Sequence, residues 1–153
     1  MPVRMKNVPS NGLPLEEITL LVLTPDEADV TAVRQVFRHP AWRVEHRETV
    51  SEALPLLSRA AVVLCEWKLA DGGWQEVLSA LNLYTDAPAL IVTSRHADGL
   101  LWAEVLNLGG YDVLPKPFEN KEIMRVVNMA RRHRQSMPAG RQTDLPRQIA
   151  VSA

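Results

Sequence analysis

A chain of 153 residues, 46% of them hydrophobic, has room for one ordinary globular domain and leaves space for only a very small second one. Its formal net charge of −1 supplies no global field for nucleic acid or an anionic membrane, and a single cysteine excludes an internal disulfide and fits a reducing, cytoplasmic setting. No apolar span of membrane length and no amino-terminal signal pattern is present, so a soluble protein is expected.

Residues 1–16 mix Pro, Asn, Ser and Gly with scattered basic residues and no apolar period, which predicts a flexible lead-in. Ile18–Leu23 is the first buried strand and runs straight into Thr24-Pro25-Asp26-Glu27. That tetrapeptide has the form of a capping box, with Thr24 as N-cap, Pro25 at the first helical position, Asp26 favourable to the dipole and Glu27 at N3. The first helix is therefore predicted from Pro25 to about Arg38, with Ala28, Val33, Val36 and Phe37 on its apolar side, and His39-Pro40 ends it. Trp42–Arg47 alternates apolar and polar residues as an edge strand does. Thr49 or Ser51 then caps a short helix through Leu57, the least regular of the set because Pro55 must sit in its first turn or kink it.

Ala61–Cys65 is a short continuous apolar run, the pattern of a central parallel strand buried on both faces, and Cys65 within it reads as a small core residue. Glu66 stands at the carboxyl end of that run, where open α/β sheets place their chemistry. Asp71-Gly72-Gly73 makes a turn, Trp74–Leu83 is the third helix, Ala89–Thr93 the fourth strand and Leu100–Leu108 the fourth helix, stopped by Gly109-Gly110. Within that helix Leu101, Val105 and Leu108 form the predicted core stripe. Tyr111–Leu114 is a fifth strand, and Glu119–Arg132 closes the domain with Ile123, Val126, Val127 and Ala130 at helical period. Five alternations of strand and helix predict an α/β fold, a doubly wound parallel sheet with helices on both faces, over residues 17–133. The basic run Arg131-Arg132-His133-Arg134 complements the carbonyls of the helix end, and residues 134–153 read as a disordered tail.

Glu66 after the third strand, Thr93-Ser94 after the fourth and Gly109-Gly-Tyr-Asp-Val-Leu-Pro-Lys-Pro-Phe118 around the fifth, taken in that order and spacing, resemble the receiver domain of bacterial two-component response regulators. The match runs from about Ile18 to Arg132, and Lys116-Pro117-Phe118 is its most specific part. The resemblance implies a flavodoxin-like sheet with strand order 2-1-3-4-5 and a cis Lys116–Pro117 peptide that aims Lys116 into a pocket. It also implies a phosphate-accepting switch, with an aspartate after strand three and an acidic pair after strand one that holds magnesium. A Thr or Ser after strand four and a lysine after strand five complete it, and Thr93 and Lys116 match these. The others differ: Glu66 stands for the acceptor aspartate, and Thr24 and Pro25 stand for the acidic pair, which removes hard oxygen ligands. Ala70 replaces a proline after the acceptor loop, and Val113 replaces the aromatic that swings with the switch.

These departures lead to the expectation of a degenerate form, a pseudo-receiver that acts in signalling by binding protein, is not an enzyme, and uses no cofactor or metal. Glu66 reads either as a permanent phosphoryl mimic that meets Lys116 or as half of an ion pair without a signalling role. Two other classes stay open. One is a phosphorylatable receiver in which Asp26, Glu27 or Asp71 supplies the missing ligands. The other is a flavodoxin-like small-molecule binder, against which stand the lack of a glycine-rich phosphate cradle and the scatter of His39, His46, His96 and His133. The expected partner is a signalling protein such as a histidine kinase or another regulator, or a second copy of the chain. Neither nucleic acid nor membrane is expected. Trp102 and Leu106, one helical turn apart, would line the contact face together with Val113 and Met124.

Overall fold

The computed structural model describes residues 17–136; the expected lead-in at 1–16 and the tail from 137 onward lie outside the described residues. Five strands form one parallel sheet: β1 (Ile18–Leu23), β2 (Trp42–Arg47), β3 (Val62–Glu66), β4 (Ala89–Ser94) and β5 (Asp112–Pro115). Their spatial order is β2-β1-β3-β4-β5, so the direction of winding reverses between β1 and β3. Between them run α1 (Glu27–Val36), α2 (Val50–Ala53), α3 (Trp74–Leu81), α4 (Gly99–Leu108) and α5 (Asn120–Ser136). The doubly wound architecture and strand order are those expected from the sequence. No helix among the described residues is long and apolar enough to cross a membrane.

The side-chain period of two along each strand sorts the core into two layers. Leu21, Leu23, Val63, Cys65, Leu90 and Val92 face α2, α3 and α4, whereas Leu20, Val22, Val62, Leu64 and Ile91 face α1 and α5. β1, β3 and β4 are buried on both faces, which is why they read as continuous apolar runs. β2 is an edge strand with no fully buried residue, and its Arg43, Glu45 and Arg47 give it the charged rim that discourages pairing with another sheet.

Several boundaries differ from the sequence expectations for local reasons. α2 covers only Val50–Ala53 and continues as a 3-10 helix, Leu54–Arg59, with Pro55 in the first turn of that segment where its missing N–H costs nothing. α3 ends at Leu81 instead of Leu83, which is exposed. α5 continues past Arg132 to Ser136, so the basic cluster lies within the helix, where Arg134 reaches the side chain and carbonyl of Asp86. In α1, Ala28 is exposed and Val30 is buried.

Two further corrections bear on the surface. In α4 Val105 is fully buried and Leu101 packs against the core, but Leu108 is about half exposed, because the chain leaves the helix at Gly109 in a left-handed conformation and the last turn overhangs. Val113 is not on the surface: it belongs to the layer containing Val105, since its neighbour Leu114 takes the opposite face of β5.

Candidate functional site

Four elements meet at the carboxyl edge of the sheet. Glu66 is the last residue of β3 and lies directly across from Thr93 in the parallel register. Lys116 follows β5, its backbone N–H donating to the Ser94 carbonyl at 3.1 Å, and the Lys116–Pro117 peptide is cis. The fourth contribution comes from the start of α1.

That start departs from the capping box read in the sequence. Asp26 is the N-cap, with extended backbone and its Oδ1 accepting the Ala28 N–H at 2.9 Å, and the helix begins at Glu27. Aspartate caps at least as well as threonine, so nothing holds the helix start at Thr24. Thr24 is instead buried, accepts the Asp26 N–H at 3.1 Å and donates its hydroxyl to Asp29 Oδ2 at 3.3 Å. With the helix starting two residues later than expected, Asp29 lies one turn before Val33 on the inner face, and both are buried.

Lys116 Nζ sits between two carboxylates, 2.6 Å from Asp29 Oδ2 and 2.7 Å from Glu66 Oε1. The side chains are 4%, 11% and 13% exposed for Lys116, Asp29 and Glu66, so water screens these contacts poorly. Thr93, itself buried, donates its hydroxyl to Glu66 Oε1 at 3.2 Å. Each charged oxygen bonded by the ammonium therefore also accepts a hydroxyl from a buried threonine. Burial alone would lower the Lys116 pKa, but the hydrogen bonds and charges of Asp29 and Glu66 outweigh it and hold the ammonium above the usual lysine range. Two carboxylates and one ammonium leave the cluster with one excess negative charge.

The structure thus brings together Thr24, Glu66, Thr93 and Lys116, and adds Asp29, which the sequence reading missed. Its signal was the spacing Asp29–Val33, a carboxylate in line with the apolar stripe of α1 instead of on its wet side. The other acidic candidates are elsewhere. Pro25 and Glu27 are exposed; Asp26 is used in its cap, with Arg95 at 3.7 Å from its second oxygen. Asp71 has both oxygens accepting backbone N–H groups at the start of α2, from Val50 at 2.8 Å and Ser51 at 3.1 Å, and these bonds hold its carboxyl below the usual range. The Asp71 loop is shaped by a two-residue antiparallel ladder, Lys68–Leu69 against Gly72–Gly73. Cys65 is buried, and desolvation pushes its thiol up, so it stays protonated.

The signal receiver domain of an HD domain-containing protein from Pseudomonas fluorescens Pf-5 superimposes with a TM-score of 0.70 at 20% identity, over 80% of this chain and 100% of that one. The fold is that of a receiver domain. A CheY-like response regulator receiver domain protein from Methanospirillum hungatei gives a TM-score of 0.67 at 18% identity, over 78% and 98% of the two chains. The structure of the CheX-CheY-BeF3-Mg complex from Borrelia burgdorferi gives 0.66 at 14% identity, over 82% and 96%. No model of a known protein family matches the sequence, and no curated protein sequence does. The receiver fold therefore persists here at low sequence identity, with Glu66, Thr93 and Lys116 at the carboxyl ends of β3, β4 and β5.

Of the residues expected on a contact face, Trp102 and Met124 are 49% and 41% exposed. Leu106 is half buried, and the Trp102 indole N–H donates at 3.3 Å to Oδ1 of Asp112, the first residue of β5. Val113 drops out of this set because it is in the core.

Proposed function

We propose that this chain is a pseudo-receiver: a signalling module of response-regulator type that works by binding a protein partner, accepts no phosphoryl group, binds no magnesium and is not an enzyme. The observation that carries the reading is the double engagement of Lys116 by Asp29 and Glu66, with the Thr93 hydroxyl also on Glu66. Lysine and threonine are the residues that the resemblance assigns to a phosphoryl group, and here both are already bound to a carboxylate. Glu66 thus acts as a built-in substitute for the phosphorylated state.

The donor set argues against the magnesium ion that the receiver fold implies. Magnesium demands near-octahedral hard oxygen ligands. Asp29 and Glu66 are the nearest carboxylates, and the oxygens that face each other are taken by the ammonium. Thr24 offers a hydroxyl that is bonded to Asp29, and Pro25 offers no side-chain ligand. An ammonium held at 2.6 and 2.7 Å does for these carboxylates what a metal would do, namely cancel their repulsion. The contact face for a signalling partner, or for a second copy of the chain, is assigned to Trp102, Leu106 and Met124.

The test is intact-mass spectrometry after incubation with acetyl phosphate and magnesium, alongside calorimetric titration with beryllofluoride and magnesium. The expected result is an unmodified mass and no heat of binding. A single phosphoryl addition at Glu66, Asp26 or Asp71 would overturn the reading.

A further inference from the structure

On the other side of the α1 start, facing β2 instead of β5, Glu27, His46 and Glu48 bring one donor atom each to within 4.8 Å of one another. Glu27 opens α1, His46 is the fifth residue of β2, and Glu48 follows the strand, so the tertiary fold assembles the group from two elements. His46 Nε2 lies 2.8 Å from the Thr24 carbonyl oxygen. A carbonyl can only accept, so Nε2 is the nitrogen that carries the proton in the neutral ring, which leaves the Nδ1 lone pair for a ligand. A backbone carbonyl that fixes one ring nitrogen and leaves the other as a donor is the outer-shell arrangement of metal-ligating histidines. Among the described residues, His46 Nδ1 and the carboxylates of Glu27 and Glu48 make no hydrogen bond or ion pair. Two carboxylates thus converge on an oriented imidazole.

We propose that Glu27, His46 and Glu48 form a binding site for a divalent transition-metal ion of the zinc type. One imidazole and two carboxylates, with water in the fourth position, suit the tetrahedral preference of zinc, and the nitrogen ligand disfavours magnesium and calcium. Zinc bonds of about 2.0–2.2 Å require the donors to draw closer than 4.8 Å. The two glutamates are exposed and can rotate inward, while His46, half buried and held by Thr24, provides the fixed point. The ion would fasten the first turn of α1 to the end of β2. The site adjoins the Glu66 pocket through Thr24, whose carbonyl faces His46 and whose hydroxyl bonds Asp29, but it shares no ligand with the Lys116 cluster, so it is tested independently of the pseudo-receiver reading.

The experiment is isothermal titration of the full chain with zinc, with cobalt absorption as a coordination probe and magnesium as control. The native protein is expected to take up one zinc ion and to melt at a higher temperature with zinc but not with magnesium. Glu27→Gln, His46→Gln and Glu48→Gln should each weaken zinc by at least the roughly 10–100-fold that the loss of even an outer-shell partner costs. Both glutamates are exposed, so their variants keep the fold and decide the matter even if the histidine variant does not fold. No zinc uptake, or uptake unchanged in Glu27→Gln and Glu48→Gln, would overturn the proposal.

Discussion

The sharpest consequence of one ammonium shared by two carboxylates is that the carboxylates must be energetically coupled. Consider Asp29→Asn, Glu66→Gln and the double variant, each of which preserves shape and removes charge. After either single change Lys116 keeps one ionised partner at 2.6 or 2.7 Å, and the repulsion between the carboxylates disappears. The amide oxygen can still accept from the ammonium, so what is lost is the carboxylate charge in one charge-assisted hydrogen bond, worth at most about 1.5–3 kcal/mol and offset in part by the relief of repulsion, so about 1–2 kcal/mol each. The double variant leaves an ammonium 4% exposed with no counter-charge, and breaking a buried pair costs about 3–5 kcal/mol. That cost is added to the first loss. The double variant should therefore be less stable than the sum of the singles by about 1–3 kcal/mol, inside the roughly 0.5–3 kcal/mol seen for residues in one charge network. Urea unfolding of the four proteins at neutral pH, followed by circular dichroism, measures the difference. Additivity within about 0.5 kcal/mol would refute the shared-ammonium arrangement, because independent sites add within that limit.

Two other outcomes follow from the same structure. The raised pKa of Lys116 means that the folded state binds its proton more tightly than the unfolded chain, so this stabilisation is fully present below the unfolded value, about 10.4. It is lost as pH rises through the higher folded value, and the stability gap between the native protein and Lys116→Met should narrow above about pH 10.4 in urea titrations; a gap constant to higher pH would contradict it. Gly73→Ala should destabilise by about 1–3 kcal/mol through overpacking, since a Cβ there would lie 2.7 Å from the Trp67 carbonyl oxygen, a backbone atom that cannot swing away. Its φ of −165° is open to any residue, so the clash alone is tested, and a thermal midpoint equal to that of the native protein would show that the Trp67 carbonyl yields.

Much of this molecule is legible in one dimension because burial leaves a periodic trace. Ile18–Leu23, Ala61–Cys65 and Ala89–Thr93 read as central strands because strands covered on both faces have no polar side, and the alternation in Trp42–Arg47 marked the edge. Glu66 was placed by its position at the end of a central strand, and the receiver resemblance implied that Thr93 and Lys116 join it, which a parallel sheet permits because all carboxyl ends share one rim. The sequence left undetermined whatever depends on the phase of a helix relative to its neighbours. Thr24-Pro25-Asp26-Glu27 satisfies the rules for a cap at Thr24 as well as at Asp26, and local hydrogen bonding alone does not separate the two. Burial decides it: Thr24 is enclosed by the fold, its hydroxyl is drawn to Asp29, and the helix starts at Glu27 with Asp29 turned toward Lys116, 87 residues away in the chain. The same holds for Val113, whose place in the core is set by the face of β5 that meets Val105, and for the meeting of Glu27 with His46 and Glu48. Composition and period state which residues must be buried or exposed; only the packing of one element on another states which charges meet, because that depends on contacts between residues far apart in the chain.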